Sequence, residues 1–303
     1  MKIKTRRYHI YYWARVLFYL LRFIPIKMAL AISVFFGKIA FNFLEKYRKI
    51  AIDNIMNSLG LDRSQSTELA GKVFVNLAKN GAEWVKIATD GNECAREFVS
   101  GSHGFEKLDK VLSEGNGAII LASHFGNWEL LMAYLRWRGY GGIVVGKKLY
   151  FHKYNEFISD LRRKTGVTLV YRDESPKKLL KELRSGSMVG MLADQDVDSV
   201  NGTFVDFFGR PAFTPVAPVR LAMASGAPIV PAFMIRKENG KHIGVIEEPI
   251  YISKDERSED AVRKYTQAWS NVLEKQVRDH PEQWVWIHRR WKTRMPEMNG
   301  SNI

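Results

Sequence analysis

A histidine and a glutamate five positions apart, His124 and Glu129, are the pair in this sequence best suited to proton chemistry. They stand in the stretch Ser-His-Phe-Gly-Asn-Trp-Glu over 123–129. On one regular helix, residues five apart point roughly 140° away from each other. If the two side chains meet, His124 must therefore lie before the helix proper, with Gly126 supplying the bend. Glu129 then falls in the first helical turn, where the helix dipole favours its charge. A carboxylate on one imidazole nitrogen fixes the tautomer and leaves the other nitrogen a better base. Such a group would take a proton from a hydroxyl. The same two residues could also serve only as caps on a solvated turn, and spacing alone leaves that open.

The flanking elements suit a site. Residues 118–122, Ala-Ile-Ile-Leu-Ala, form a short apolar run of the length a buried strand uses. The polar, glycine-containing 123–127 reads as a turn. Residues 128–138 carry apolar side chains at helical spacing, and Gly139 stands where a C-terminal cap belongs. A loop at the carboxyl end of a strand is where open α/β sheets hold their ligands.

The elements after Gly139 alternate. Strands are expected at 143–145, 167–170, 188–193, 229–235 and 243–246. Helices are expected at 154–164, 176–184, 218–225 and 259–279, after earlier ones at 66–88 and 107–112. This alternation predicts an α/β domain over 46–303, with a central, mostly parallel mixed sheet flanked by helices. The 101–104 segment reads as a turn, with His103 a loop residue.

With 46% hydrophobic and 26% charged residues, the 303-residue chain is a folded protein rather than a disordered one. Its formal net charge of +14 favours an anionic partner: nucleic acid, an anionic membrane or an acidic carrier. No nucleic-acid recognition motif accompanies that charge. The single cysteine, Cys94, cannot form an internal disulfide, and no Cys/His cluster has zinc spacing. Residues 1–45 form a separate basic and apolar segment, expected to be helical and to attach to a membrane. Its apolar part is broken by Arg15, Arg22, Pro25, Lys27 and Lys38, so it could span a bilayer, with 28–44 the best candidate, or lie in the interface. Arginines inside the apolar part and the lack of a small-residue cleavage pattern argue against a signal peptide.

Three further features could carry chemistry. Asp194 and Asp196 end an apolar strand, at the sheet edge expected for His124. The apolar loop 201–211 holds Phe204, Val205, Phe207 and Phe208, which must be buried or cover something greasy. Basic residues cluster at Lys147 and Lys148, at 162–164, at Arg172 and along 177–184. Arginines among them suit bidentate phosphate contacts.

Together these residues resemble a known family. The heptad at 123–129 is similar to the H-x4-(D/E) motif of glycerolipid acyltransferases, and in its full form to the late (lauroyl/myristoyl) acyltransferases of bacterial lipid A. Leu161-Arg-Arg before Gly166, Arg172, the run Leu-Ala-Asp-Gln-Asp at 192–196, Phe-Val-Asp-Phe-Phe-Gly at 204–209, Thr214 and Gly-Ala-Pro-Ile-Val-Pro at 226–231 follow in family order, over roughly 46–294. Asp206 departs from the family pattern, which commonly has proline there. The resemblance implies direct acyl transfer on the cytoplasmic face of the bacterial inner membrane. The donor would be an acyl thioester of acyl carrier protein or coenzyme A, a co-substrate, with no metal or other cofactor. His124 would be the base and Glu129 its support. Substrate contacts would come from Asn127, Lys148, Arg163, Arg172, Asp194, Asp196, Phe204, Phe208 and Thr214. Backbone donors at the turn, or Arg163 or Arg172, would stabilise the oxyanion. The acyl chain would lie against Phe125 and Trp128. The acceptor would be a hydroxyl of a lipid A precursor, with a lysophospholipid, glycerol phosphate or another glycolipid as the alternative. A non-catalytic lipid-binding homologue is the reading from outside enzymology.

Overall fold

A computed structural model describes residues 2–295 except 173 and 175, so 296–303 of the expected 46–303 domain lie outside the described residues. The chain begins with helices α1 (Lys2–Phe23), α2 (Ile26–Phe43), α3 (Glu45–Leu59) and α4 (Arg63–Asp90), followed by the one-turn α5 (Ala95–Phe98). Pro25 separates α1 from α2, as expected of a residue that cannot donate into a helix. Asp62 starts α4 with a capping box: its side chain accepts from Gln65 N while the Gln65 side chain accepts from Asp62 N.

α2 packs on α4 through its small residues Ala29, Ser33 and Gly37, which all share one face. A Cβ at Gly37 would lie 2.8 Å from the Val75 Cα, so only glycine permits this approach. Away from that contact the helix exposes Met28, Phe35, Phe36 and Phe43. α2 is 18 residues long with a mean hydropathy of 1.5, which by length and composition suffices to cross a membrane. α1 likewise exposes Trp13, Leu20 and Phe23, while its Phe18 turns inward against Phe157.

The rest is an α/β layer structure. In chain order it runs β1 (Val99–His103), α6 (Phe105–Ser113), β2 (Ala118–Ala122), α7 (Trp128–Trp137), β3 (Gly142–Gly146), α8 (His152–Lys164), β4 (Thr168–Tyr171), α9 (Pro176–Arg184) and β5 (Met188–Leu192). Then come β6 (Gly202–Asp206), β7 (Pro211–Pro215), α10 (Ala217–Ser225), β8 (Ile229–Arg236), β9 (His242–Ile246) and α11 (Glu259–Asp279). Seven strands form one sheet in the order β1-β9-β8-β2-β5-β3-β4. Within this sheet, among the described residues, only the β8–β9 pair is antiparallel and the other pairs are parallel. β2 is central and buried at every position, which explains its uninterrupted apolar run. One face of the sheet packs under α6 and α7, the other under α9, α10 and α11.

Two segments differ from the sequence expectation. The turn expected at 101–104 belongs mostly to β1, an edge strand paired parallel with β9. Its Gly and Ser content gives no strand signal, and the pairing supplies what local propensity lacks. The apolar loop at 201–211 is a hairpin, β6 against β7, with Phe204 facing Phe213 across the strands. Asp206 closes its turn by accepting from Gly209 N, while its own N–H donates to Gln267. A proline there could not make that second bond.

Candidate active site

The segment after β2 is held on both sides by backbone. His124 O accepts from Val285 N at 3.1 Å, Gly126 N donates to Gln283 O at 2.9 Å, and Asn127 N donates to Met234 O at 3.0 Å. Gly126 has φ +57° and an added Cβ would fall 1.9 Å from Met234 O, so both the conformation and the space demand glycine. Asn127 caps α7, its side chain accepting from Leu130 N at 3.1 Å. Its other end donates to Glu83 Oε2 at 2.7 Å.

Glu83 belongs to a buried network beneath the turn. It is fully buried and ion-paired with Arg236. Arg236 also donates to Asn76 at 2.8 Å and Asn80 at 2.6 Å, and Asn80 donates to Gly126 O at 2.6 Å. A buried charge pair of this kind holds only when its remaining donors and acceptors are met, and here side chains of α4 meet them. His242 lies beside Glu83 at 3.4 Å, and burial pushes its imidazole down to about 4.

The register of β2 on β5 pairs Ala122 with Leu192, so the residues two beyond each strand end stand side by side. These are His124 and Asp194. His124 Nδ1 lies 2.8 Å from Asp194 Oδ1, and the His124 backbone N–H donates to Oδ2 at 3.0 Å. Trp284 Nε1 gives the carboxylate its third bond, donating to Oδ2 at 3.0 Å. Burial by itself would push the Asp194 carboxyl up. The His124 charge and these three hydrogen bonds outweigh burial and hold it at about 2. A carboxylate can only accept, so the Nδ1 proton faces Asp194 and the Nε2 lone pair is directed away from it. The His124 side chain is 24% exposed, with the half-buried Trp128 ring 5.2 Å away.

Glu129 is engaged elsewhere. Both of its oxygens accept from Arg162, at 2.5 and 3.2 Å, in a largely buried pair. The expectation that Glu129 supports His124 is therefore corrected: Asp194 is the carboxylate on the ring, and Glu129 anchors α8 to the start of α7. Gly126 makes the turn as expected, but directs the imidazole across the sheet towards β5 rather than along the helix.

The remaining expected residues divide. Arg163 is exposed and pairs with Asp160 at 2.7 Å; its neighbour Arg162 reaches Glu129 instead. Asp196 is buried and ties down the C-terminal segment through Thr293 N and Oγ1, both at 2.7 Å. Thr214 is wholly buried and hydrogen-bonded to Arg290, whose guanidinium burial pushes down to about 10. Phe125, expected beside the acyl chain, is instead buried in the core against Phe233, as Gly126 turns the chain directly after it. Phe208 is buried on Trp286, and Phe204 stays within its hairpin. Lys148 is exposed beyond β3, and Arg172 is half-buried with Nη2 on Ser199 Oγ. Trp284, Glu83, Asn80, Arg236 and Gln283 carry no local sequence signal, because their partners lie tens to more than a hundred residues away.

A turn-borne histidine steadied by a buried aspartate, at the carboxyl end of a parallel sheet, accompanies a family match. Residues 1–293 match the model of the bacterial lipid A biosynthesis acyltransferase family. The chain belongs to that family. A lipid A biosynthesis lauroyltransferase of Escherichia coli K12 is 27% identical over 310 residues, covering 97% of this chain and 96% of that one. A phosphatidylinositol mannoside acyltransferase of Mycobacterium tuberculosis H37Rv is 29% identical over 236 residues, covering 75% and 72%. The lipid A biosynthesis palmitoleoyltransferase of E. coli K12 is 24% identical over 202 residues, covering 63% and 61%. The chain is thus an acyltransferase of a glycolipid-modifying family, and its work requires an acyl donor and a lipid acceptor.

Proposed function

We propose that the protein moves a fatty acyl group from an acyl thioester to a hydroxyl of a membrane glycolipid, with a lipid A precursor as acceptor. The observation that carries this reading is the His124–Asp194 pair, with Nδ1 fixed on a buried carboxylate and the imidazole partly exposed. His124 Nε2 takes the proton of the acceptor hydroxyl as its oxygen attacks the thioester carbonyl. Asp194 holds the ring and stabilises the imidazolium that forms. Collapse of the tetrahedral intermediate releases the thiol, which regains the proton from His124. The Trp128 and Glu129 amides, the first two of α7, have no acceptor within the helix and are candidates to stabilise the oxyanion. Glu129 and Arg162 position the start of α7, which carries Trp128 beside the ring. Asn127 fixes the turn from below.

Near end-to-end coverage of the E. coli lauroyltransferase favours a lipid A acceptor. The mannoside acyltransferase, at similar identity, favours a phosphatidylinositol mannoside. Both acceptors are phosphorylated glycolipids in a membrane. The exposed Lys148 and half-buried Arg172 would meet their phosphates. The net charge of +14 would attract an acidic carrier protein bearing the acyl group, with coenzyme A as the other donor. The apolar helices α1 and α2 would hold the site at the cytoplasmic face of an inner membrane. His124→Ala should abolish transfer from acyl thioester to glycolipid in detergent micelles, while the protein keeps its thermal midpoint. Near-normal turnover would refute the assignment. Mass spectrometry of lipids from cells with and without the protein would identify the acceptor.

A further inference from the structure

A large cavity lies away from His124, reaching the strand-end residue Arg236 and Gln283 that brace the motif turn. It occupies about 1300 Å³ between α2, α4, the β8–β9 turn and the segment around Gln283. His124, Trp128 and Asp194 are not among its lining residues. The wall between is the stretch where Gly126 N meets Gln283 O, with Asn80 and Arg236 beneath it.

Its charges are uneven in how they are paired. Glu68 on the rim is taken by Lys72 at 2.8 Å, and Glu282 accepts from Gln283 at 3.0 Å. Arg236 is taken by Glu83. Lys38 from α2, Lys79 from α4 and Lys237 from the β8–β9 turn also line the cavity, and among the described residues none of their ammonium groups is hydrogen-bonded or ion-paired. Glu238, exposed on the same turn, is the remaining acid of the lining. Lys79 is the telling one. It is half-buried, and both burial and the nearby Arg236 charge push its ammonium down, with Glu83 opposing them. An ammonium held there beside a like charge gains from an anion in the cavity. α2 brings the apolar Val34 and Phe41 to the cavity beside Lys38 and Asn42, and the same helix exposes Phe35, Phe36 and Phe43. The cavity thus joins cations to apolar surface along the one helix that, among the described residues, is long and apolar enough to cross a bilayer.

We propose that this cavity binds the phosphate-bearing headgroup of a membrane lipid, with the phosphate on Lys79, Lys38 and Lys237 and an acyl chain along α2. A phosphate offers several acceptor oxygens to the three ammonium groups that line this one cavity. A lipid, unlike a free anion, also covers Val34 and Phe41. A carrier-protein helix would present carboxylates from a convex surface, which suits this concave site poorly. The inference is separate from the catalytic reading, since it needs no function of His124.

The test uses the full chain in neutral-headgroup detergent, with binding followed by calorimetry. The probes are dihexanoyl phosphatidic acid, inorganic phosphate, dihexanoyl phosphatidylcholine and acyl carrier protein. Phosphatidic acid should bind saturably, and at least tenfold more tightly than inorganic phosphate or phosphatidylcholine. Lys79→Gln should weaken it at least tenfold, Lys79→Arg should restore it, and His124→Ala should leave it unchanged. If Lys79→Gln fails to fold, the exposed pair Lys38→Gln/Lys237→Gln provides the same measurement. Unaltered phosphatidic acid binding in the folded lysine variants would overturn the proposal. So would inorganic phosphate binding equally well, or acyl carrier protein being the probe whose binding is lost.

Discussion

Replacing Asp194 by asparagine keeps the side chain's size and removes its charge. In the wild type, Oδ2 accepts from the His124 backbone and from Trp284, while Oδ1 faces His124 Nδ1. An asparagine keeps the two bonds to its single oxygen and turns its NH2 to the ring. Nδ1 must then accept, so the imidazole proton moves to Nε2, where the base is needed. The equivalent tautomer reversal in a serine-protease triad lowers turnover by about 10⁴, or ~5 kcal/mol on the barrier. A loss of 10³ to 10⁴ in kcat is expected here, with KM changed by only a few-fold, because Asp194 is buried away from substrate. Stability gives a second readout. A carboxyl held at about 2 instead of 3.8 contributes ~2 kcal/mol. Its folded value is depressed, so this contribution is full above 3.8 and disappears as the pH falls towards 2. The variant should therefore be less stable at neutral pH and lack that acid-limb dependence. Thioester consumption with a glycolipid acceptor measures the first effect, and denaturant unfolding across pH the second. A kcat within tenfold of wild type would refute the assignment of Asp194 as the residue that sets the tautomer.

Two other outcomes follow from paired charges. Glu129→Ala should destabilise the fold by about 3 kcal/mol by leaving Arg162 buried and unpaired. Adding Arg162→Ala should recover part of that loss, a coupling that a double-mutant cycle in denaturant would reveal as non-additivity. His242 is wholly buried with its imidazole pushed down to about 4, so between pH 6.5 and 4 the unfolded chain binds the extra proton. Stability should fall by up to ~3 kcal/mol as the pH drops through that window. His242→Leu should flatten that slope in unfolding measurements; an unchanged slope would exclude His242 as its source.

The sequence by itself determined the frame of the site. Residues 118–122 are apolar throughout because β2 is buried on both faces of the sheet, and that composition is visible without coordinates. Gly126 and the polar residues around it announced a turn by their types, and the structure has it. Alternating strand and helix patterns gave the α/β class, and the aromatic, basic beginning of the chain marked α1 and α2 as a greasy pair. Spacing also limited what His124 and Glu129 could do together, since five residues separate their directions on a helix.

Tertiary structure decided which acid His124 meets. Glu129 is five residues from it and goes to Arg162; Asp194 is 70 residues away and holds the ring. That choice depends on β5 pairing beside β2 with Ala122 opposite Leu192, a crossover register that no local pattern encodes. The same holds for Glu83 and Arg236, 153 residues apart, which support the turn from α4 and the end of β8. Local spacing fixes which side chains share a turn, whereas the partner across a parallel sheet is set by chain topology and packing.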